Sequence, residues 1–441
     1  MSDRDGWNRG FSVLWDRAKH PSISVTDSRG TLVSWAFSLH QNLLATERGP
    51  YGFTDVLSVA AGQQAYQDIR LWQGYAPTPL RDLNVVAARA GVRRVLYKDE
   101  ASRFGLDSFK ALGGAYAVAR LLQALMRRRL RRQVSMEELL SGAYSDFTRT
   151  ITVACASDGN HGRSVAFGAK RFGCACTIFL HERVSHCREQ AIVNLGAQVI
   201  RTPGNYDDSV RAAKRTAGEK AWYLVADTSD DASDPMPVFA MQGYTSLMIE
   251  ALAQLTSAGH PLPTHVFVQG GVGGLAAAVI SYLWEEMGPQ RAPIFVIVEP
   301  SRANCLYQSA VHGRPTPVTG DLDTVMAGLA CGEVSIAAWP IVQAGAEFFM
   351  TIEDDAAIEC MRLLHRGALG GGSIIAGESA VAGLAGLLAI ASDPAGEALG
   401  RLGLDPSSIV LLIGTEGATD PDIYAKLVGS APAEVPGMGK Q

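Results

Sequence analysis

The sequence predicts an α/β fold of two lobes, each a mostly parallel sheet covered by helices. Three observations carry that expectation. Short apolar runs alternate with longer helical stretches through most of the chain, the pattern of repeated βα units. Glycine-rich or acidic motifs stand at the ends of those runs, and parallel sheets gather ligands at the carboxyl ends of their strands. Finally, 441 residues at 47 % hydrophobic composition suffice for two lobes around a substantial core, without the low apolarity and high net charge of an unfolded chain.

Residues 1–74 are irregular, with aromatics scattered among polar residues. We read them as an N-terminal arm, of the kind that packs on a partner subunit. Tyr75-Ala76-Pro77-Thr78-Pro79-Leu80 is extended, because each proline turns the residue before it away from the helical region. Arg94-Val95-Leu96-Tyr97 is an apolar strand, and a polar loop leads from it to a helix running from Ala111 to Leu122. The basic run from Arg127 to Arg132 lacks the interleaved aromatics of a nucleic-acid surface and reads as a solvated helix face near Glu137 and Glu138. Strands at Ile151–Val153, Thr177–Leu180 and Gln198–Ile200 then alternate with helices after Gly162, around Arg188–Leu195 and at Asp207–Ala217. These form the smaller lobe, residues 111–222. Buried-strand runs at Tyr223–Asp227, His265–Val268, Ile294–Val298 and Ile409–Ile413, with helices at Gly243–Leu255, Gly274–Glu285, Asp355–Leu364 and Ala380–Ile390, form the second sheet. The larger lobe is then 1–110 plus 223–441, with a tail from Gly429 of disorder-prone composition.

Lys110 is the residue around which the motifs gather. It stands where the polar loop meets the helix, against small apolar neighbours and under the positive end of the helix dipole, so burial and like charge disfavour its ammonium form. A neutral amine is a nucleophile towards carbonyls. The bland alternative is an exposed first-turn lysine, and three further stretches weigh against it. Gln269-Gly270-Gly271-Val272-Gly273-Gly274-Leu275 follows a strand and opens a helix, so its glycines let backbone N–H groups approach an anion. The G-x-G-x-x-G spacing of a dinucleotide turn is missing, as is a Walker-type lysine. Asp158-Gly159-Asn160-His161-Gly162 also joins a strand to a helix, and by itself reads as an Asx-type turn with Asn160 satisfied by backbone. Gly414-Thr415-Glu416-Gly417 ends a third strand. Asp227 ends another, where an aspartate is most often a cap or turn former. His161 is either a base or a structural donor, and Glu378 and Glu416 either orient this shell or pair with basic residues.

Ser108-Phe109-Lys110 followed by these blocks in this order resembles the fold-type II family of pyridoxal-phosphate enzymes. More narrowly, five features resemble the diaminopropionate ammonia-lyases: Arg103-Phe104-Gly105-Leu106, Asp158 directly before Gly159-Asn160-His161-Gly162, the stretch Asp323 to Glu333, Gly377-Glu378-Ser379, and Thr415-Glu416-Gly417. The resemblance runs from about Tyr75 to Pro421. It implies a two-lobed enzyme holding pyridoxal 5'-phosphate in the cleft, with Lys110 as the amine that condenses with its aldehyde, next to Phe109. It implies the cofactor phosphate on Gly270, Gly271, Val272, Gly273 and Gly274, and the phenolic oxygen against Asn160. The pyridine nitrogen falls to Thr415, with Gly414 as the alternative position. Lys110 is implied as the base for an L-substrate, Asp158 for a D-substrate, and Asp227 as the acidic residue near the reacting amine. The implied reaction is α,β-elimination of 2,3-diaminopropionate, D or L, to pyruvate and two ammonia. Two alternatives stand beside it: another β-eliminating or β-replacing enzyme of the serine, threonine or hydroxyaspartate dehydratase kind, and a catalytically silent binding protein on the same scaffold. One departure bears on specificity, since Ser229-Asp230-Asp231-Ala232-Ser233-Asp234 stands where an aromatic, glycine-containing continuation is expected.

Composition narrows the partners. A net charge of only −5 provides no global field for nucleic acid or membrane, and the N-terminus leads into no apolar run of signal or membrane-spanning length. Seven cysteines without regular spacing fit reduced thiols in a cytoplasmic protein, and Cys174-Ala175-Cys176 is too close for the usual metal pair. We therefore expect no metal, a small amino-acid substrate, and a homodimer in the cytoplasm.

Overall fold

The structure, a computed structural model, describes residues 35–432 except 158, 230, 232 and 394 and the side chain of 207. The first part of the N-terminal arm, Asp158 and the end of the tail lie outside the described residues. Among those described are eleven strands: β1 Phe37–Gln41, β2 Leu80–Asp82, β3 Arg94–Asp99, β4 Thr152–Ala156, β5 Ala175–His181, β6 Gln198–Thr202, β7 Tyr223–Leu224, β8 His265–Gln269, β9 Ile294–Pro300, β10 Phe348–Ile352 and β11 Ile409–Gly414.

Seven strands form one sheet in the order β1-β10-β9-β8-β11-β3-β2, and four form the other in the order β6-β5-β4-β7. Every pairing is parallel except at the two edges of the larger sheet, where β1 meets β10 and β2 meets β3 antiparallel. All residues of β8 and β11 are buried. Helices cover both faces of such a strand, which is why these runs read as continuous apolar stretches instead of alternating ones.

Three differences from the sequence reading have a physical reason. The segment before Tyr75 is not irregular throughout: β1 adds to the larger sheet, and Val59–Arg70 is a helix. Its buried face is Gly62, Ala65, Asp68 and Ile69, too small and too polar to show as an apolar stripe. The Tyr223 run is a two-residue strand that pairs with β4 in the smaller sheet and not with the larger one. A short apolar run carries no information about which sheet it joins. The strand β10 and the antiparallel β2 are additions, β2 directly after the extended Pro77 to Leu80 segment.

The helix Lys110–Leu130 lies between the helix Asn160–Phe172 and the helix Met236–Ser257. Its first turns are small because two neighbours press on them. A Cβ at Gly113 would fall inside the Tyr244 ring, and one at Gly114 would stand 2.6 Å from Ser164 Oγ. The run Ala111 to Ala119 is wholly buried, so this helix is the packed seam from which Lys110 projects. Beyond it, the basic run ends in Arg132, which bonds Glu138 at 2.6 Å on the exposed surface. Such pairs contribute little to stability.

Candidate active site

Lys110 is the first residue of its helix, where a polar loop enters it. That loop is stitched to the end of β11: Phe109 N donates to Thr415 O at 2.9 Å, Gly417 N donates to Asp107 O at 2.9 Å, and Ser108 bridges to Glu416. Two motifs separated by some three hundred residues of sequence therefore share one short ladder. Gly414 is required there, because the ring of Tyr97 occupies the space a Cβ would need, and the neighbouring Thr415 is buried.

The Lys110 ammonium Nζ donates to Asp227 Oδ2 at 2.6 Å, with side-chain exposures of 21 % and 18 %. The sequence reading had the Lys110 ammonium disfavoured; the structure reverses this. Burial does oppose the charge, but the Asp227 carboxylate outweighs it and holds Lys110 above the ordinary lysine range. Magnitudes decide the sign. Two unit charges about 3 Å apart attract by roughly 5 kcal/mol at an effective dielectric near 20, and a partly buried ammonium loses less than that in hydration. For Asp227, burial acts upward while Lys110 and then His161 act downward, and the net result lies well below the carboxylate range. His161 places Nδ1 3.8 Å from the same carboxylate and bonds Val225 O through Nε2 at 2.8 Å. Burial lowers this imidazole, so it is the neutral ring near neutral pH.

Around this pair the other motifs converge. Asn160 opens the helix Asn160–Phe172, and its amide donates to Glu416 Oε2 at 2.5 Å. Glu416 Oε1 in turn accepts from Ser379 N at 3.1 Å. Arg188 bonds Glu378 at 2.9 Å, a carboxyl that burial and then Glu416 push up to about 7 despite Arg188. The glycine loop after β8 has Gly271 at φ 60° and Gly273 at φ 99°, conformations that L side chains rarely adopt. It hands directly to the helix Gly274–Met287, whose first N–H groups have no partner within the helix. The loop therefore fits a phosphate: small, curled, and facing with the positive end of a helix.

Behind the lysine loop lies a wholly buried charge cluster. Arg103 bonds Glu100 at 2.8 Å and both oxygens of Glu250 at 2.8 Å, while Lys98 bonds Glu250 at 2.7 Å. Thr78 donates to Glu100 at 2.6 Å. Two cations thus meet two carboxylates, and the cluster ties the loop before Lys110 to the helix that carries Tyr244. Burial would raise the Glu250 carboxyl, but Arg103 and then Lys98 bring it down to about 2. Sequence reasoning missed this cluster and Tyr244, because a lysine in a strand and a tyrosine in an apolar helix carry no local mark of their partners.

A lysine at a loop-to-helix joint, a carboxylate on it, and a phosphate-sized glycine loop at the head of a helix are the requirements of an enzyme that holds an aldehyde cofactor. The chain matches the family described as "Pyridoxal-phosphate dependent enzyme" over residues 71–402. It belongs to that family of pyridoxal-phosphate dependent enzymes. Pyridoxal phosphate is accordingly its cofactor. Within the family, the chain is 39 % identical to the diaminopropionate ammonia-lyase of Salmonella typhimurium over 390 residues, which cover 87 % of this chain and 96 % of that one. It is 40 % identical to the Escherichia coli enzyme of the same name over 356 residues, 80 % of this chain and 88 % of that. The structure superposes on that of the E. coli enzyme in complex with an aminoacrylate–PLP azomethine reaction intermediate, with TM-score 0.80 and 37 % identity over 90 % of this chain and 97 % of the other. The same enzyme in complex with D-serine gives TM-score 0.81 at 36 % identity, covering 90 % and 97 %. The expected fold type II of pyridoxal-phosphate dependent enzymes is therefore the fold of this chain. Among the described residues no cluster of three or more His, Cys, Asp or Glu side chains could hold a metal, and no helix is long and apolar enough to cross a membrane.

Proposed function

We propose that this chain is a carbon–nitrogen lyase that carries out α,β-elimination of 2,3-diaminopropionate, D or L, giving pyruvate and two ammonia. The observation that carries this reading is the Lys110–Asp227 pair at 2.6 Å, on a scaffold about 40 % identical to enzymes of that name. Pyridoxal phosphate, when bound, supplies the electron sink that acidifies the Cα–H bond of an amino acid. Lys110 would hold its aldehyde end beside Phe109, the loop Gly270, Gly271, Val272, Gly273 and Gly274 its phosphate, Asn160 its phenolic oxygen and Thr415, or Gly414 in its place, its pyridine nitrogen.

The side chains then divide the proton work. Once Asp227 turns to the substrate's β-ammonium, the field that kept Lys110 charged is gone, and Lys110 Nζ, as free amine, takes the Cα proton of the L-isomer, while the Asp158 carboxylate takes that of the D-isomer from the opposite face. Asp227, kept ionised by its neighbours, and Asp158 with it hold the β-amine as ammonium, a better leaving group than a neutral amine. His161, neutral and bonded to Val225 O, packs its ring beside the same Asp227 carboxylate oxygen at 3.8 Å without a hydrogen bond to it. The 2-aminoacrylate released hydrolyses to pyruvate and the second ammonia. We read the smaller lobe as residues 111–222 extended by the strand Tyr223–Leu224, and the larger, cofactor-binding lobe as 1–110 plus 225–441, working as a homodimer in the cytoplasm. None of the seven cysteines is in a disulfide, in keeping with a reducing compartment.

The test is direct. Purified holoenzyme is mixed with D- and with L-2,3-diaminopropionate, and pyruvate and ammonia are measured. Two ammonia per pyruvate from at least one isomer is the expected result, abolished in Lys110→Ala. Product from serine or threonine but from neither isomer of diaminopropionate would replace this reading with a dehydratase.

A further inference from the structure

Tyr244 is 2 % exposed, and its hydroxyl makes no well-formed hydrogen bond. Leaving a buried hydroxyl without a partner costs roughly 1–3 kcal/mol, a cost that phenylalanine at the same place would avoid. The packing of the ring shows where the hydroxyl is aimed. The ring lies against Phe109 at 4.7 Å between centroids, fills the notch left by Gly113, and reaches towards Gly274 at the start of the phosphate loop's helix. Lys110 Nζ stands 5.9 Å from its centroid and 5.7 Å from that of Phe109, inside the range of a cation–π contact. The amine thus stands within reach of two aromatic rings and bonded to Asp227. Burial, opposed by Lys110, pushes the phenol up to about 12, so it keeps its proton at neutral pH.

We propose that Tyr244 is a positioning residue for Lys110, its phenolic oxygen accepting one N–H of the ε-amine and so leaving the amine's lone pair aimed at the substrate. The inference rests on the reading of Lys110 as the base for the L-isomer. While Asp227 holds the substrate's β-ammonium it cannot also hold Lys110, and the amine then needs a second acceptor. Among the described residues, Asp227, Tyr244 and, more weakly, Cys331 act on its charge, and Tyr244 is the one with a hydroxyl oxygen beside it. The phenol takes no proton and gives none; the Cα proton goes to Lys110 Nζ alone. Because the D-isomer is deprotonated by a different group, the hydroxyl acts on one isomer only.

The experiment compares wild-type holoenzyme with Tyr244→Phe, which removes one oxygen and keeps the ring. The expected result has three parts. Turnover of L-2,3-diaminopropionate falls at least tenfold in kcat with KM within threefold, turnover of the D-isomer falls less than threefold, and the midpoint of the pH titration of the bound cofactor's visible absorbance, read without substrate, moves down by half a pH unit or more. Equal losses with both isomers, an unmoved midpoint, or cofactor binding weakened tenfold at an unchanged isomer ratio would each overturn it, the last by placing the hydroxyl on the phosphate. Should wild-type protein release pyruvate from neither isomer, the reading of the activity fails, and the absorbance midpoint decides the role of Tyr244 separately.

Discussion

Lys110 Nζ and Asp227 Oδ2 meet at 2.6 Å across 117 residues of sequence, joining the head of the central helix to the segment just after β7. Each partner sets the other's charge state. Lys110 is raised and Asp227 lowered, so the pair's contribution to stability is present between the ordinary carboxylate and lysine ranges and declines outside them.

Asp227→Asn tests that coupling in protein freed of cofactor. Near pH 7 it should cost roughly 2–4 kcal/mol in urea unfolding, below the value for a fully buried pair because both side chains keep some solvent. As the pH falls below the ordinary aspartate range the unfolded chain takes up a proton that the folded carboxylate still refuses, so the wild-type stabilisation declines progressively. The difference between the two proteins should therefore shrink towards acid. A gap that stays constant down to pH 3 would assign the loss to packing.

Glu250→Gln removes one charge from the buried cluster of Lys98, Glu100, Arg103 and Glu250. Breaking a buried pair by taking one partner costs about 3–5 kcal/mol. The thermal midpoint should drop by several degrees, with the wild-type advantage lost between about pH 4.5 and pH 2 as Glu250 is protonated in the folded state. Because the cluster braces the lysine loop, kcat should fall along with stability.

Glu378→Gln should do the opposite at neutral pH. Glu378 sits near 7 in the folded protein against an ordinary 4.5, so the folded state keeps a proton that the unfolded chain has already given up. Its contribution is full below pH 4.5 and disappears as the pH rises through 7. The amide cannot ionise, and the variant should gain roughly 1–3 kcal/mol relative to wild type between pH 5 and pH 8. Chemical denaturation at several pH values reads this directly.

Gly273→Ala forces a methyl-bearing residue into φ 99° and brings it 3.4 Å from Ala338 and Leu306. Strain of about 1–2 kcal/mol should distort the loop, and cofactor affinity should fall about tenfold in a spectrophotometric titration. Unchanged affinity would remove the phosphate from this loop.

Local chemistry showed through wherever it left a local mark. Glycine runs after apolar strands and the lysine at a loop-to-helix joint were legible because backbone conformation and strand burial restrict which residues a position accepts; Asn160, read by itself as satisfied by backbone, instead gives its amide to the distant side chain of Glu416. The helix Val59–Arg70 was hidden because its buried face is small and polar, and the sheet joined by Tyr223–Leu224 was hidden because a two-residue strand carries no address.

The chain by itself determined the alternation of buried strands and helices through its middle, the positions of the glycines that tolerate a tight anion loop, and the presence of one lysine where a helix begins. Only the folded molecule decided the charge on that lysine, because Asp227 comes from a distant segment and its field outweighs the desolvation that the local sequence foretold. The buried hydroxyl of Tyr244 beside Lys110 and the ion cluster at Glu250 likewise exist only once the helices pack, since pairing energy depends on separation in space and not on separation along the chain.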